Sequence, residues 1–162
     1  MLDKRYRIRN PKPTHFPFVS VIIPAYNEQE NIRKTIESAQ KLDYPNLEIL
    51  VIDDGSTDGT YKIAAKIASV DRRVKAFTKE NGGKASAINY AIKKSKGELI
   101  ATLDADSFVS RDALMKMVGY LEDPQVAAVT PSMKVYRPGN ALQKIQQIEY
   151  LFGILYRKIF AL

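Results

Sequence analysis

Residues 47–60 read LEILVIDDGSTDGT, and this stretch decides the fold. A mostly apolar run, Leu47–Ile52, ends in two adjacent acids, Asp53 and Asp54, which residues typical of turns follow. Such a run, with few polar residues, is typical of a strand buried on both faces of a parallel sheet. Because adjacent buried acids are costly without partners, we predict that Asp53 and Asp54 are placed to bind a ligand.

Similar apolar runs recur along the chain, and helical patterns separate them. We predict strands at Val19–Ile23, Leu47–Ile52, Val74–Thr78, Leu99–Leu103 and Val126–Val129. Apolar residues that share a helix face are predicted in four sets: Ile32, Ile36 and Ala39; Ile63 and Ile67; Ala85, Ile88 and Ile92; Leu114, Met117, Val118 and Leu121. Capping chemistry predicts Asn27 and Ser110 at helix starts. Strand–helix alternation predicts an α/β sandwich.

Composition excludes several classes of protein. The 162 residues include no cysteine, which excludes a disulfide scaffold and a thiolate zinc site. The single histidine, His15, leaves almost no residues from which a Ser-His-Asp triad could be built. The net charge of +7 admits nucleic acid, anionic lipid or phosphorylated small molecules as partners, or a merely solubilising surface. No apolar run approaches the ~20 residues of a membrane span. We therefore expect a cytoplasmic location.

Polar motifs follow the predicted strands where each strand ends. In an open parallel sheet, ligands bind at this carboxyl-terminal edge. We therefore expect four segments to converge there, namely residues 24–28 (PAYNE), 53–60 (DDGSTDGT), 81–84 (NGGK) and 104–106 (DAD).

Asp104 and Asp106 are candidate metal ligands. Mg²⁺ and Mn²⁺ prefer oxygen ligands, and one or two carboxylates together with substrate phosphates often bind them. The ion would offset diphosphate charge in a leaving group. In the alternative interpretation, Asp104 caps the loop and Asp106 is solvated.

The other candidate residues suit a nucleotide. A carboxylate at Asp53 or Asp54 accepts from the imide N–H of uracil or from ribose hydroxyls, while Tyr26 is placed to flank a base and Glu28 to hydrogen-bond it. Lys84, after two glycines, adds a positive charge where backbone N–H groups meet an anion. The alternatives are turn chemistry and a surface lysine.

Together these segments resemble the family-2 glycosyltransferases. The likeness runs from about Phe18 to the C-terminus, and four motifs match in order and spacing: residues 21–28 (VIIPAYNE), 51–60 (VIDDGSTDGT), 83–89 (GKASAIN) and 104–106 (DAD). Residues 146–153 (QQIEYLFG) look most like the processive, membrane-associated branch, which includes cellulose, chitin, hyaluronan and poly-N-acetylglucosamine synthases.

The resemblance implies a GT-A fold, a Rossmann-like three-layer α/β/α sandwich with a mostly parallel central sheet. It also implies a UDP-sugar donor, Mn²⁺ or Mg²⁺, and transfer with inversion to a polysaccharide or lipid-linked acceptor. By that likeness, Asp104 and Asp106 bind the metal, and the residues around the nucleotide-sugar are Ala25, Tyr26, Glu28, Asp53, Asp54, Lys84 and Asp104.

The resemblance also implies what is missing. The family's general base lies in a later acidic motif, and the processive branch carries a later Gln-x-x-Arg-Trp motif, whereas this chain has no tryptophan. No catalytic residue is assigned, and we expect a C-terminally truncated, donor-binding part that turns over poorly.

We expect three segments, namely a basic leader at 1–17, a nucleotide-sugar-binding domain at 18–140 and an amphipathic helix at 141–162, which is membrane-interfacial or begins a missing acceptor half. The leader suits an anionic membrane surface on the cytoplasmic face. Two alternatives stay open, an aspartate-based phosphotransferase or phosphatase and a basic module that binds nucleotides or nucleic acid, although the acidic motifs argue against a nucleic-acid partner.

Overall fold

A four-stranded parallel sheet forms the centre of the computed structural model, which describes residues 11–132, 142, 144–146 and 148–150. The strands are β1 (Val19–Ala25), β2 (Leu47–Asp53), β3 (Val74–Thr78) and β4 (Leu99–Thr102), in the order β3-β2-β1-β4. The helices are α1 (Ile32–Gln40), α2 (Thr60–Ala68), α3 (Lys84–Lys94) and α4 (Ala113–Leu121). The predicted alternation of strands and helices is confirmed.

Position in the sheet explains how deeply each strand is buried. All residues of β1 and β2 are buried, whereas β3 and β4 are only partly buried. Strands β1 and β2 are central, so each has a neighbouring strand on both edges and helices over both faces. This burial explains why their residues are mostly apolar. In register, Ala25 of β1 lies beside Asp53 of β2, which in turn lies beside Thr78 of β3.

Two hydrophobic clusters cover opposite faces of the sheet and give it three layers. Alternate β1 residues, beginning with Val19 and Val21, pack with buried residues of α1, α2 and α4. The intervening residue Ile22 packs instead with Leu50, Ile52 and two alanines of α3. Side chains alternate between the faces of a strand, so the two clusters lie on opposite sides.

Two sequence predictions about apolar residues are wrong. Helix α3 buries Ala87 and Ala91, while Ala85 and Ile92 are exposed, because small alanines let the helix approach the sheet closely. The run at 126–129 forms no strand. Its first N–H closes a turn onto the carbonyl of Asp123, and a four-residue apolar run has no period that separates strand from loop.

Both predicted caps are also wrong. Helix α1 begins after Asn31, and α4 begins after Asp112. Asn27 adopts a left-handed backbone, with φ of 52°, and its side-chain oxygen accepts from the N–H of Thr57 at 2.9 Å. Asn tolerates this conformation better than most residues, which explains its presence in the turn after β1. Ser110 donates its hydroxyl to Asp112.

Residues 11–18 pack against the domain. The Tyr44 hydroxyl donates to the carbonyl of Pro17, and Phe16 lies edge-on to the Tyr44 ring. Glu122 accepts hydrogen bonds from the N–H groups of Thr14 and His15. Thus the described part of the predicted leader is bound to the domain beside the end of α4.

Contacts within the chain define two compact units, Met1–Ala127 and Ala128–Leu162. In the second unit, the described residues 142, 144–146 and 148–150 are helical, with Leu142, Ile145 and Ile148 exposed. Most of the predicted helix at 141–162 lies outside the described residues. Within the part of the chain that the structure describes, no helix is long and apolar enough to cross a membrane.

Candidate functional site

A cleft of about 470 Å³ lies at the carboxyl-terminal edge of the sheet. The segments that follow β1 and β4, the acid Asp54 after β2 and the loop before α3 all contribute to it, as the sequence predicts. Its lining residues are Pro24, Ala25, Tyr26, Glu28, Asp54, Asn81, Gly83, Lys84, Ala87, Asp104, Ala105 and Asp106. Every predicted site residue except Asp53 is therefore among them.

Asp54 is almost completely buried, and its carboxylate organises the loop before α3. It accepts hydrogen bonds from the ammonium of Lys79 at 2.6 Å and from the N–H groups of Gly82 and Gly83, the latter at 2.7 Å. Burial alone would raise the pKa of Asp54, but these donors outweigh burial and set the pKa below its ordinary value. The N–H groups predicted to meet a ligand anion thus already bind an anion of the protein.

Glycines make this loop geometry possible. Gly55 has φ of 75°, and a Cβ there would lie 2.8 Å from the backbone nitrogen of Asn81, so a side chain is excluded. Gly83, which immediately precedes α3, has φ of 82°, a conformation that other residues rarely adopt. The 79–83 loop therefore depends on both glycines and on the carboxylate of Asp54.

Asp53 differs from its neighbour in having a free oxygen atom. It is 2% exposed, and its Oδ2 accepts from the hydroxyl of Thr78 at 2.9 Å. Its Oδ1 is buried and has no hydrogen-bond partner in the described part of the chain. An unpaired buried acceptor is costly, which makes it a candidate ligand atom. Its register partner Ala25 and its sequence neighbour Asp54 both line the cleft.

Asp104 and Asp106 follow β4 and are exposed, with the buried Ala105 between them. Oδ1 of Asp104 accepts from the ammonium of Lys84 at 2.5 Å. The hydroxyl of Ser107 donates to Asp106 at 3.3 Å. Both carboxylates thus remain accessible from the cleft.

A threonine that the sequence analysis did not select fixes the turn between these acids. Thr35 of α1 is fully buried, and its hydroxyl donates to the carbonyl of Ala105 at 2.7 Å. It lies on the apolar face of α1 beside Ile32, Ile36 and Ala39, all buried. A polar residue on an otherwise apolar helix face was the sequence signal that could have identified it.

Oxygen ligands at Asp104 and Asp106 fit a hard divalent cation. Across residues 11–132 and the described positions beyond them, no group of three or more acidic or histidine side chains is placed to hold a metal. The two acids therefore suit an ion that a ligand's oxygen atoms help to coordinate.

A second polar cluster, built around one buried acid, lies at the opposite, amino-terminal edge of the sheet. Glu48 is 3% exposed, and it accepts from Ser20, Lys75 and the N–H of Lys96, each at 2.7 Å. Burial alone would raise the pKa of Glu48, but these donors outweigh it, so the pKa lies below its ordinary value. The N–H of Gly97 also donates to the Ser20 hydroxyl. The cluster joins β1, β2, β3 and the segment before β4.

The parallel sheet between two helical layers, with an acidic cleft at the carboxyl-terminal edge of its strands, is an α/β, Rossmann-like fold of the GT-A type. Residues 20–161 match the model of the family described as "Glycosyl transferase family 2". The chain therefore belongs to glycosyl transferase family 2.

Several relatives in sequence are named as polysaccharide synthases. The chain is 35% identical over 142 residues to a poly-beta-1,6-N-acetyl-D-glucosamine synthase of Staphylococcus aureus, a match that covers 86% of this chain and 34% of the relative. A synthase of the same name from Staphylococcus epidermidis is 35% identical over 133 residues, covering 82% of this chain and 32% of the relative. The chain thus spans about one third of the length of these curated relatives.

Solved structures share the fold. The mannosyltransferase PcManGT from Pyrobaculum calidifontis, in complex with GDP-Man and Mn²⁺, superposes with a TM-score of 0.68 at 37% identity, covering 79% of this chain and 38% of that one. Residues 1–349 of TarS from S. aureus, in complex with UDP-GlcNAc, give a TM-score of 0.61 at 25% identity, covering 74% and 38%. Family membership favours the glycosyltransferase interpretation over the phosphotransferase and nucleic-acid alternatives.

Proposed function

We propose that the cleft binds a UDP-sugar with a divalent cation, and that this chain is the donor-binding part of an inverting glycosyltransferase. The observation that carries the proposal is the buried Oδ1 of Asp53, which has no hydrogen-bond partner among the described residues. Its neighbour Asp54 lines the same cleft as Asp104, Asp106 and Lys84. Relatives named as poly-N-acetylglucosamine synthases and the TarS complex with UDP-GlcNAc support a UDP-sugar donor.

Asp53 favours uracil over guanine. Uracil presents one imide N–H, which matches one free carboxylate oxygen. Guanine presents two neighbouring N–H donors, which pair best with both oxygens of a carboxylate. Because Oδ2 already accepts from Thr78, Oδ1 is the better acceptor of the two oxygens, and a single N–H donor suits it. Tyr26, half exposed at the cleft, flanks the base, and Glu28 and Ala25 complete its surroundings.

Asp104 and Asp106 would bind Mn²⁺ or Mg²⁺ together with the diphosphate. The neighbour complexes with Mn²⁺ support this class of ion. When bound, the cation offsets the charge of the departing diphosphate. Thr35 positions the turn that carries both acids, and Lys84 contributes a positive charge close to Asp104.

In the proposed reaction, the bond between the anomeric carbon and the β-phosphate oxygen breaks, and a bond to an acceptor hydroxyl oxygen forms with inversion. UDP leaves with the electron pair, and a base must take the hydroxyl proton. No described residue is assigned that role. Identity to polysaccharide synthases supports a growing polysaccharide as the acceptor, with a lipid-linked sugar as the other class.

A GDP-sugar is the second candidate donor, because PcManGT, 37% identical to this chain, carries GDP-Man. Calorimetric titration of UDP and GDP, each with and without Mn²⁺, separates the two. We expect UDP to bind more tightly than GDP and Mn²⁺ to strengthen its binding.

Variants of Asp53 and Asp104 show which residue is responsible for nucleotide binding and which for the effect of Mn²⁺. Asp53→Asn should weaken UDP binding with or without Mn²⁺, whereas Asp104→Asn should remove only the part that depends on Mn²⁺. Asp43→Asn, at an exposed loop position, is the matched control. Tighter GDP binding would establish the second candidate, and failure of both nucleotides to bind would refute a nucleotide-sugar site.

A proposed contact with an anionic membrane surface rests on the net charge of +7 and the basic residues that precede the sheet. Deletion of residues 1–10 tests it without disturbing Thr14 and His15, which bind Glu122. We expect the deletion to reduce flotation with phosphatidylserine vesicles, and unchanged flotation would contradict the contact.

A further inference from the structure

The ion pair between Lys84 and Asp104 occupies a carboxylate that the proposed function assigns to the metal. The Lys84 ammonium lies 2.5 Å from Oδ1 of Asp104, and the two side chains are 60% and 55% exposed. Solvent screens so exposed a pair, so it is weak and readily exchanged for a stronger partner. The Lys84 ammonium would therefore compete only weakly with a cation for the carboxylate of Asp104.

Lys84 is also the group that a diphosphate would draw on. Among the described residues that line the cleft, it is the single basic one, against four acids, which gives a net formal charge of −3. Lys79 nearby is 18% exposed and paired with Asp54. The N–H groups of Gly82 and Gly83 also donate to Asp54. The ammonium of Lys79 and these two N–H groups are therefore already bonded.

We propose that Lys84 couples metal binding to nucleotide binding by exchanging partners. In the free protein its ammonium competes with a divalent cation for Asp104. When a nucleoside diphosphate enters, the phosphate oxygens attract the ammonium, and Asp104 becomes available to the cation. This inference rests on the proposed function and adds that metal and nucleotide each strengthen binding of the other through Lys84. Such coupling is reciprocal by linkage.

A binding cycle tests the exchange. Mn²⁺ affinity is measured by electron paramagnetic resonance with and without UDP, and UDP affinity by calorimetry with and without Mn²⁺. The proteins are wild type, Lys84→Met and the control Lys93→Met, which changes an exposed lysine in the last turn of the same helix. Mn²⁺ also binds UDP in solution, but that equilibrium is the same for all three proteins and cancels in their comparison.

We expect Lys84→Met to bind Mn²⁺ alone about fivefold more tightly than wild type, to bind UDP alone more weakly, and to show reduced coupling. Lys93→Met should match wild type. If wild type binds UDP with Mn²⁺ but Lys84→Met binds Mn²⁺ alone no more tightly, the exchange is refuted while the proposed function stands. If wild type binds neither UDP nor its Mn²⁺ complex, the proposed function fails, and the exchange fails with it.

Discussion

Two polar clusters lie at opposite ends of the same sheet and differ in how fully the carboxylate oxygens in them are bonded. At the amino-terminal edge, both carboxylate oxygens of Glu48 accept hydrogen bonds from Ser20, Lys75 and Lys96. At the carboxyl-terminal edge, Oδ1 of Asp53 has no hydrogen-bond partner among the residues that the structure describes, and Asp104 pairs there with Lys84, which is exposed. A satisfied buried acid stabilises the fold, whereas an incompletely bonded one is available to a ligand.

The largest effect on stability should come from Glu48→Ala. It leaves the ammonium of Lys75 and the donors of Ser20 and Lys96 without their shared acceptor. Because Lys75 is 38% exposed, we expect a loss of about 3 kcal/mol in the free energy of unfolding, at the lower end for a broken buried pair. Urea denaturation measures it, with the exposed Glu30→Ala as control. A loss below about 1 kcal/mol would contradict the claim that Glu48 is an acid that stabilises the fold.

Asp54→Ala should have an intermediate effect of about 2 kcal/mol, because water can replace the carboxylate at the exposed glycines. It should also weaken UDP binding, since the loop that carries Lys84 loses its anchor. The two readouts are urea denaturation and calorimetry. Unchanged nucleotide affinity together with lost stability would place Asp54 with Glu48 as a purely structural acid.

Thr35→Val sharpens the comparison further. The substitution keeps the shape of the side chain but removes its hydroxyl, so the Ala105 carbonyl loses a donor, and we expect about 1 kcal/mol of destabilisation. Calorimetry should show that UDP binding without Mn²⁺ is retained and its strengthening by Mn²⁺ is reduced. Ser69→Ala, which removes a hydroxyl bonded to the carbonyl of Lys66 at the end of α2, is the control for stability alone. If both variants left the Mn²⁺ effect intact, Thr35 would have no positioning role.

The smallest effect concerns acid sensitivity. The pKa values of Glu48 and Asp54 lie below their ordinary values. Both carboxylates therefore stabilise the folded protein at pH values above the ordinary carboxyl pKa of ~4. This stabilisation is lost as the pH falls through the lowered pKa values. In Glu48→Gln and Asp54→Asn, stability should therefore decrease less steeply below about pH 4 than in wild type. Denaturation midpoints between pH 7 and pH 3 measure the slopes. Slopes equal to that of wild type would contradict the assigned pKa directions.

Much of the fold follows from local sequence pattern. Runs of mostly apolar residues identified β1 and β2 as buried strands, and Ile32, Ile36 and Ala39 identified the buried face of α1. The pattern failed where packing depends on small residues, as in α3. It also failed in the short run at 126–129, where nothing local distinguishes a strand from a loop.

The candidate site was predictable to the extent that strand ends converge. The segment positions were enough to bring Tyr26, Glu28, Lys84, Asp104 and Asp106 to one cleft. The partners of each acid were not predictable, because the contacts from Thr35 to Ala105 and from Asp54 to Gly83 join residues distant in sequence. The adjacent acids Asp53 and Asp54 occupy the same sequence motif, yet their carboxylates have different hydrogen-bond partners.

Ligand-induced stabilisation of two variants most directly tests the claim that Glu48 stabilises the fold whereas Asp53 binds a ligand. Melting temperatures are measured with and without saturating UDP and Mn²⁺ for wild type, Glu48→Gln and Asp53→Asn. We predict that wild type gains about 5 °C with the ligands, that Glu48→Gln melts lower but keeps this gain, and that Asp53→Asn loses most of it. A full gain in Asp53→Asn, or its loss in Glu48→Gln, would contradict this claim.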